Sequence, residues 1–497
     1  MYAYAPLNVK SHHKWVYRVL KSNHNYHYYF FFMSIMTIKN QSAAFNPLIK
    51  IDTRLLKQLF TLAIPITLQS IFFSSKGVID LIMIGQLSEN DIAAAGGASR
   101  ALFVATIIIS GVTTAGAILI AQYFGKKDDQ GTKRSTALTW LLSSLLALIP
   151  FVVLALGNSQ VMGITSNNAS VQALGSQYLF ITSFSLFCVA FTGSIAAYLR
   201  SIHQASISLY LSSLGIILNM LFNWVLIFGH FGAPQMGLKG AAVATLISSL
   251  FEVTITIIYL KLNKDVVLFN LSDIRQALRF SHIKQLTRLA LPTTINFTLW
   301  AGGLFAYTSI MGRSSDEGLI VLSIITPIEA FSLSFLIGIA NASAVIVGNH
   351  IGAKDFDSAY RHAIMITVIA FMVTLCVSFS LYALKETLLA LFTSLEAATL
   401  ELANKFYGIL CLGIILRSLP TTMVVGVLRA GGDVKFCLYQ DLITQWCFGI
   451  PLAAIGALLI GLSPEWVFAL FFLETLFKWF ACICRFRSKR WFNYLAQ

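Results

Sequence analysis

One carboxylate, two amides and a hydroxyl at matching depth are the side chains in this sequence best placed to do chemistry. Asp80 sits five residues before Gly85, near the end of the apolar run from Gln58 to Leu87. A charge in hydrocarbon costs several kcal/mol, from about 2.5 upward, so such a residue usually faces a polar cavity or carries ion chemistry. Asn219 and Asn223 lie one turn apart on one face of a later run, about 15 and 9 Å before it ends at Gly229. Thr245 lies about 12 Å into the next run, which opens at Gly237, and Asp80 is about 8 Å short of the end of its own. Four oxygen-bearing side chains in one layer suit Na⁺, or a proton held on the carboxyl. Two plainer readings stand beside this one. Lys76, one turn before Asp80, neutralises it, or the amides and hydroxyl make ordinary hydrogen bonds between helices.

Other ionisable residues fall inside apolar runs. Glu252 and Glu474 take similar places in the sixth and the last run, Glu474 and Lys478 are spaced to pair on one helix face, and Glu329 and Arg417 are candidates to pair. Gly125-Lys126 lacks an upstream glycine and is followed by Lys127, so it is no phosphate loop, which argues against ATP-driven pumping within this chain. There is no HExxH, no GxSxG and no metal-spaced cluster; His24 and His27 are read as no metal site. No acid, base or metal constellation supports an enzyme, and no cofactor is expected. Energy must come from an ion gradient or from the substrate's own gradient. The seven cysteines form no CxxC pair, and Cys482 and Cys484 read as small core residues.

The elements that hold these groups are transmembrane helices. Of 497 residues, 57% are hydrophobic and 11% charged, about half the charged share of a soluble domain. The apolar runs are continuous for twenty residues or more, unlike the alternating segments of a barrel. Twelve spans fall near 58–85, 92–121, 135–156, 170–199, 205–229, 239–260, 285–311, 318–347, 361–383, 401–428, 436–460 and 464–484. The net charge of +14 does not point to nucleic acid, because 27 of the 35 Lys and Arg fall on one side, in loops, helix edges and termini. Lys239, Arg313, Lys385 and Lys405 lie opposite. That bias predicts both termini in the cytoplasm. No cleavable signal peptide is read at the N-terminus; the aromatic run from Tyr26 is too short to span, and Met33 or Met36 is an alternative start.

The chain repeats itself. At a constant offset of 227, Pro65 pairs with Pro292, Thr67 with Thr294, Gly85 with Gly312, Ser88 with Ser315, Gly111 with Gly338, Gly125 with Gly352 and Asp128 with Asp355. Six spans per repeat make the copies parallel. The expected fold is an all-α polytopic membrane protein, with twelve transmembrane helices in two parallel-repeat six-helix lobes around a central cleft. The expected divisions are an extension (1–55), an N-lobe (56–260), a basic cytoplasmic linker (261–284), a C-lobe (285–484) and a basic tail (485–497). Pro65 and Pro292 lie inside the first helix of each lobe, where proline bends a helix; a fixed bend and a moving one are both open.

Asp80–Gly85 followed by Ala93-Ala94-Ala95-Gly96, Gly111–Asp128 with its echo Gly338–Asp355, Asn219-x-x-x-Asn223-Trp224, Gly240-Ala241-Ala242-Val243-Ala244-Thr245 and Leu428-Arg429-Ala430-Gly431-Gly432-Asp433 together resemble the multidrug and toxic compound extrusion (MATE) family. The likeness covers roughly residues 55–490. It implies a monomeric twelve-helix antiporter of the bacterial cytoplasmic membrane that exports amphipathic, often cationic small molecules against H⁺ or Na⁺. It further implies that Asp80 is the first-helix acid and that Asn219, Asn223 and Thr245 line a cation site. Some members carry acids in the seventh and tenth helices; here the seventh-helix position is Trp300 and no carboxylate lies near Ser418. Coupling is therefore expected in the N-lobe, with Lys76 as a modulator that tilts the ion toward H⁺. A flippase for a lipid-linked precursor is the alternative, but it should line its cleft with several cations, and the spans hold few.

Overall fold

The computed structural model describes residues 53–263, 271–389 and 397–496, and these form helices and no strand. Eleven helices are long and apolar enough to span a bilayer, and a pair bent by 42° makes a twelfth crossing. They are α1 (Thr53–Ile84), α2 (Glu89–Gly125), α3 (Asp129–Leu156), α4 (Ala169–Ser183 with Ser185–Ser201), α5 (Ala205–Phe228), α6 (Gly237–Leu262), α7 (Phe280–Ser314), α8 (Asp316–Gly352), α9 (Phe356–Ala383), α10 (Ala398–Leu428), α11 (Val434–Leu459) and α12 (Pro464–Arg487). Every run expected to span lies on one of these helices. The N-terminal extension up to Asp52, with His24, His27 and the aromatic run, and residues 264–270 of the linker lie outside the described residues. Large apolar side chains such as Leu145, Ile149 and Phe379 are exposed on the bundle, as hydrocarbon-facing positions require.

Helix starts are copied along with the rest of the repeat. Ser88 caps α2 by accepting from the Asp91 amide, and Ser315 caps α8 by accepting from the Gly318 amide. Asp128 caps α3 through the Gly131 amide, and Asp355 caps α9 through the Ser358 amide, whose hydrogen bonds hold the Asp355 carboxyl below its usual range. Each of these last two turns places a lysine, Lys127 and Lys354, in the left-handed region at φ 61°. Pro65 and Pro292 are buried inside α1 and α7, which run unbroken through them. Of the two cysteines expected in the core, Cys482 is buried but Cys484 is exposed. Two residues is about 200° of helix, so the pair cannot share a face.

The halves meet at one end and part at the other. At the Lys- and Arg-rich end, one apolar cluster joins Leu55, Leu59 and Leu62 of α1 to Leu336, Ile339 and Ile346 of α8. A second joins Leu119 and Tyr123 of α2 to Leu286 and Leu289 of α7. At the opposite end each half keeps its own cluster, from Ile84 to Ala242 in the first and from Tyr307 to Phe472 in the second. Glycines make the seam close. A Cβ on Gly111 would run into Thr294, and one on Gly338 into Thr67, a contact repeated in register. Deeper at the basic end, Gly125 lies against the Asn349 backbone and Gly352 against that of Gln122.

The segment after α12 closes over this seam. Gln122 of α2, fully buried, donates to the carbonyls of Ala430 (3.0 Å) and Asn493 (3.2 Å), while its Oε1 accepts from the Leu495 amide (2.8 Å). Gln285 of α7 donates to the Leu495 carbonyl at 2.5 Å, and the Asn493 amide donates to Gly431 at 2.9 Å. Trp491 is fully buried, and Lys354 lies 4.8 Å over the Tyr494 ring.

Candidate cation site

α1, α5 and α6 bring the four expected residues together. Asn223 is 1% exposed, and its Nδ2 donates to Asp80 Oδ1 at 2.6 Å. The same amide lies 3.4 Å from Asn219 Oδ1, whose own Nδ2 reaches Thr245 Oγ1 at 3.4 Å and Ser248 Oγ at 3.3 Å. The i, i+4 spacing of the two asparagines stacks them on one face of α5, aimed at both α1 and α6. A carboxylate, two amides and two hydroxyls therefore form one continuous chain. Tyr178 of α4, also buried, interacts with Asp80, Ser99 and Thr245. Ser248 and Tyr178 were missed in the sequence although both lie within a turn of the same layer, about 16 Å past Gly237 and about 13 Å past Ala169; a lone hydroxyl in an apolar run carries no mark of its own.

Asn223 Oδ1 is buried with no hydrogen-bond partner. An orphaned buried carbonyl costs about 1–3 kcal/mol unless something else satisfies it. Beside a carboxylate and two hydroxyls, such an oxygen fits a small hard cation. Lys76 does not fill the place. Asp80 takes its hydrogen bond from Asn223, and the Lys76 charge is shared between Asp80 and Glu252 of α6. Glu252 packs on Gly215 of α5, where an added Cβ would stand 2.9 Å from Glu252 Oε2. Both carboxylates thus feel one ammonium, with no ion pair between Lys76 and either among the described residues.

The second half is built differently. Tyr307 of α7 takes the place of Asp80 in the repeat, and its hydroxyl donates to Glu474 Oε2 of α12 at 2.7 Å. Lys478 lies 3.1 Å from Glu474 Oε1, the pairing its spacing suggested, and 3.0 Å from Asp441 Oδ1 of α11. Asp441 Oδ2 accepts from Asn296 of α7 at 2.8 Å, and Arg429 bonds the other side of that amide. Asp441 was missing from the sequence reading, although at about 10 Å into its helix it lies no shallower than Asp80. It immediately precedes a π-helical stretch, Leu442–Gly449, a local widening that hydropathy cannot reveal. Glu329 of α8 and Arg417 of α10 form an ion pair, with the guanidinium 4.7 Å over the Phe472 ring. Among the described residues, no group of three or more His, Cys, Asp or Glu is arranged to hold a metal ion.

The sequence model of the MatE family matches residues 65–225 and 292–455. The two matches open on Pro65 and Pro292, the prolines the repeat puts in register. The chain belongs to the MATE family. Its members are transporters and not enzymes, and multidrug efflux is the activity the family is known for. This MATE chain is 29% identical over 395 residues to a probable multidrug resistance protein NorM of Agrobacterium fabrum, covering 78% of this chain and 84% of that one. It is 24% identical over 443 residues to an uncharacterized transporter, YisQ, of Bacillus subtilis, covering 87% and 94%. Its backbone is similar to that of an outward-facing multidrug resistance MATE family transporter, with a TM-score of 0.77, 19% identity and coverage of 87% and 95%. It is likewise similar to a mutant form of the Vibrio cholerae MATE transporter VcmN, with a TM-score of 0.79, 19% identity and coverage of 88% and 99%. These structural likenesses show the fold.

Proposed function

We propose that this MATE protein is a secondary antiporter that exports amphipathic, cationic organic compounds in exchange for H⁺ or Na⁺. Asp80, Asn219, Asn223 and Thr245 form the exchange site. The observation that carries the reading is the buried, unpartnered carbonyl of Asn223 beside Asp80. An ion bound there neutralises the carboxylate and satisfies the orphan, and a cationic cargo competes for the same negative charge. That competition is the coupling between the two ligands. Lys76 shares its charge with two acids and tunes how strongly the site holds its ion.

In this reading the protein works as a monomer in a bacterial cytoplasmic membrane, with both termini and the basic ends inside, and needs no cofactor beyond its coupling ion. The lobes run 56–260 and 285–484, joined by the linker 261–284. The halves then meet on the cytoplasmic side, and the cleft opens outward. Export proceeds by rocking of the lobes about the seam. A flippase for a lipid-linked pyrophosphate is disfavoured, because Arg417 and Lys478 are committed to Glu329 and to Asp441 with Glu474.

Everted vesicles test the proposal. Dye transport driven separately by H⁺ and by Na⁺ gradients should respond to one ion, and Asp80→Asn should abolish that response while leaving expression intact. Gradient-driven transport unchanged in Asp80→Asn would refute the coupling site.

A further inference from the structure

We infer that the second half carries the counterpart of this cation site with its place already filled by an ammonium of the chain itself, Lys478, so that one lobe exchanges one ion per cycle. The inference rests on the exchange site proposed above and adds its stoichiometry.

The two halves seat an acid in the same way. Glu252 of α6 packs over Gly215 of α5, and Glu474 of α12 packs over Gly449 of α11, where an added Cβ would stand 2.6 Å from Glu474 Oε2. The penultimate helix of each half provides the glycine, and the last helix provides the acid. What differs is the cation. In the first half a buried carbonyl, Asn223 Oδ1, has no partner, and Lys76 makes no hydrogen bond to Asp80. In the second half all four oxygens of the acid pair are engaged. Glu474 Oε2 takes Tyr307 and Oε1 takes Lys478, while Asp441 Oδ1 takes Lys478 and Oδ2 takes Asn296.

Lys478 Nζ thus bridges two carboxylates at 3.0 and 3.1 Å, in hydrogen-bond range of both, with side chains only 10–14% exposed. Arg429 bonds the Asn296 oxygen and balances the second acid. The group is electrically neutral without any mobile ion. A further cation entering it would have to displace an ammonium that cannot diffuse away, against a desolvated pair whose disruption is strongly unfavourable. Tyr307 takes Asp80's own place in the repeat, so the α7 position offers a donor in place of a carboxylate.

Counting ions tests this. In proteoliposomes, the imposed gradient at which cargo flux vanishes should give one coupling ion per turnover for the unsubstituted chain; two would overturn the inference, even if no Lys478 variant folds. Lys478→Met in the purified full chain should bind one more Na⁺ or proton than the parent, by calorimetric titration with NaCl and by proton uptake in unbuffered solution. Adding Glu474→Gln should remove that gain. A folded Lys478→Met with the parent's count would overturn the inference. Asp80→Asn separates the two claims. Asp80→Asn/Lys478→Met should regain a single bound ion if both hold. If Asp80→Asn alone keeps the parent's count, the exchange site is misplaced, and the Lys478→Met difference still decides the plug.

Discussion

Thr67 of α1 fits into the notch left by Gly338 of α8, so closely that any β-carbon on Gly338 would collide with the Thr67 hydroxyl. The repeat copies the contact with Thr294 in the notch of Gly111. Together the two notches fix how near the halves approach, within the clusters the halves share.

Filling one notch should therefore separate the halves. Gly338→Val introduces two clashes into a tightly packed seam, an overpacking of about 1–3 kcal/mol. Expected outcomes are a thermal midpoint lowered by several degrees and transport reduced at least tenfold. The same change at the open position Gly96, where an added Cβ meets nothing within 4 Å, should leave the midpoint within a degree or so. Differential scanning fluorimetry in detergent reads both.

Gln122 holds the segment beyond α12 against both halves. Gln122→Ala leaves the Leu495 amide and two carbonyls without their partner, about 1–3 kcal/mol for a buried group. Trypsin should then cleave faster at Lys489 and Arg490, with the helical bundle intact. Unchanged cleavage kinetics would mean the strap is held elsewhere.

Asn223→Ala removes the amide that orients Asp80 while keeping the carboxylate itself. Loss of such an orienting partner typically weakens ion affinity 10–100-fold. The ion concentration for half-maximal efflux should rise by about that factor, with the maximal rate largely kept. An equal fall in rate at saturating ion would assign Asn223 a different role.

Glu329→Gln strands the Arg417 guanidinium among α8, α10 and Phe472. Partial exposure reduces the penalty below that of a fully buried pair, to about 2 kcal/mol. The reversed pair, Glu329→Arg with Arg417→Glu, should recover most of the thermal midpoint. If the single and the reversed variants melt together, the pair contributes nothing measurable.

Much of this was legible in the primary structure, and the reason is periodicity. Hydrophobic runs give spans because hydrocarbon leaves a backbone few options, and the register from Pro65 to Asp355 gives two parallel copies. Depth along α1, α5 and α6 put Asp80, Asn219, Asn223 and Thr245 in one layer, with plain hydrogen bonds between helices as an equal reading until the family resemblance was added. What was not legible at Asp441 is its bridge, because its partner, Lys478, belongs to another helix. The clasp of Gln122 on Asn493 and Leu495 was hidden for a related reason: a glutamine inside an apolar run and a tail past the last span carry no pattern that joins them. Pairs spaced four apart on one helix, such as Glu474 and Lys478, are visible in sequence; a bridge to a third residue is not.

The left-handed lysines at the two copied turns offer a practical handle. Left-handed backbone disfavours a side chain with a β-carbon by about 1–2 kcal/mol, and both Lys127 and Lys354 bear it at φ 61°. Lys354 recovers part through the Tyr494 ring, and replacing it would loosen the strap. Glycine at 127 relaxes the same strain and leaves that contact alone. Lys127→Gly is thus a thermostabilising change for purification and crystallisation that leaves ion chemistry untouched.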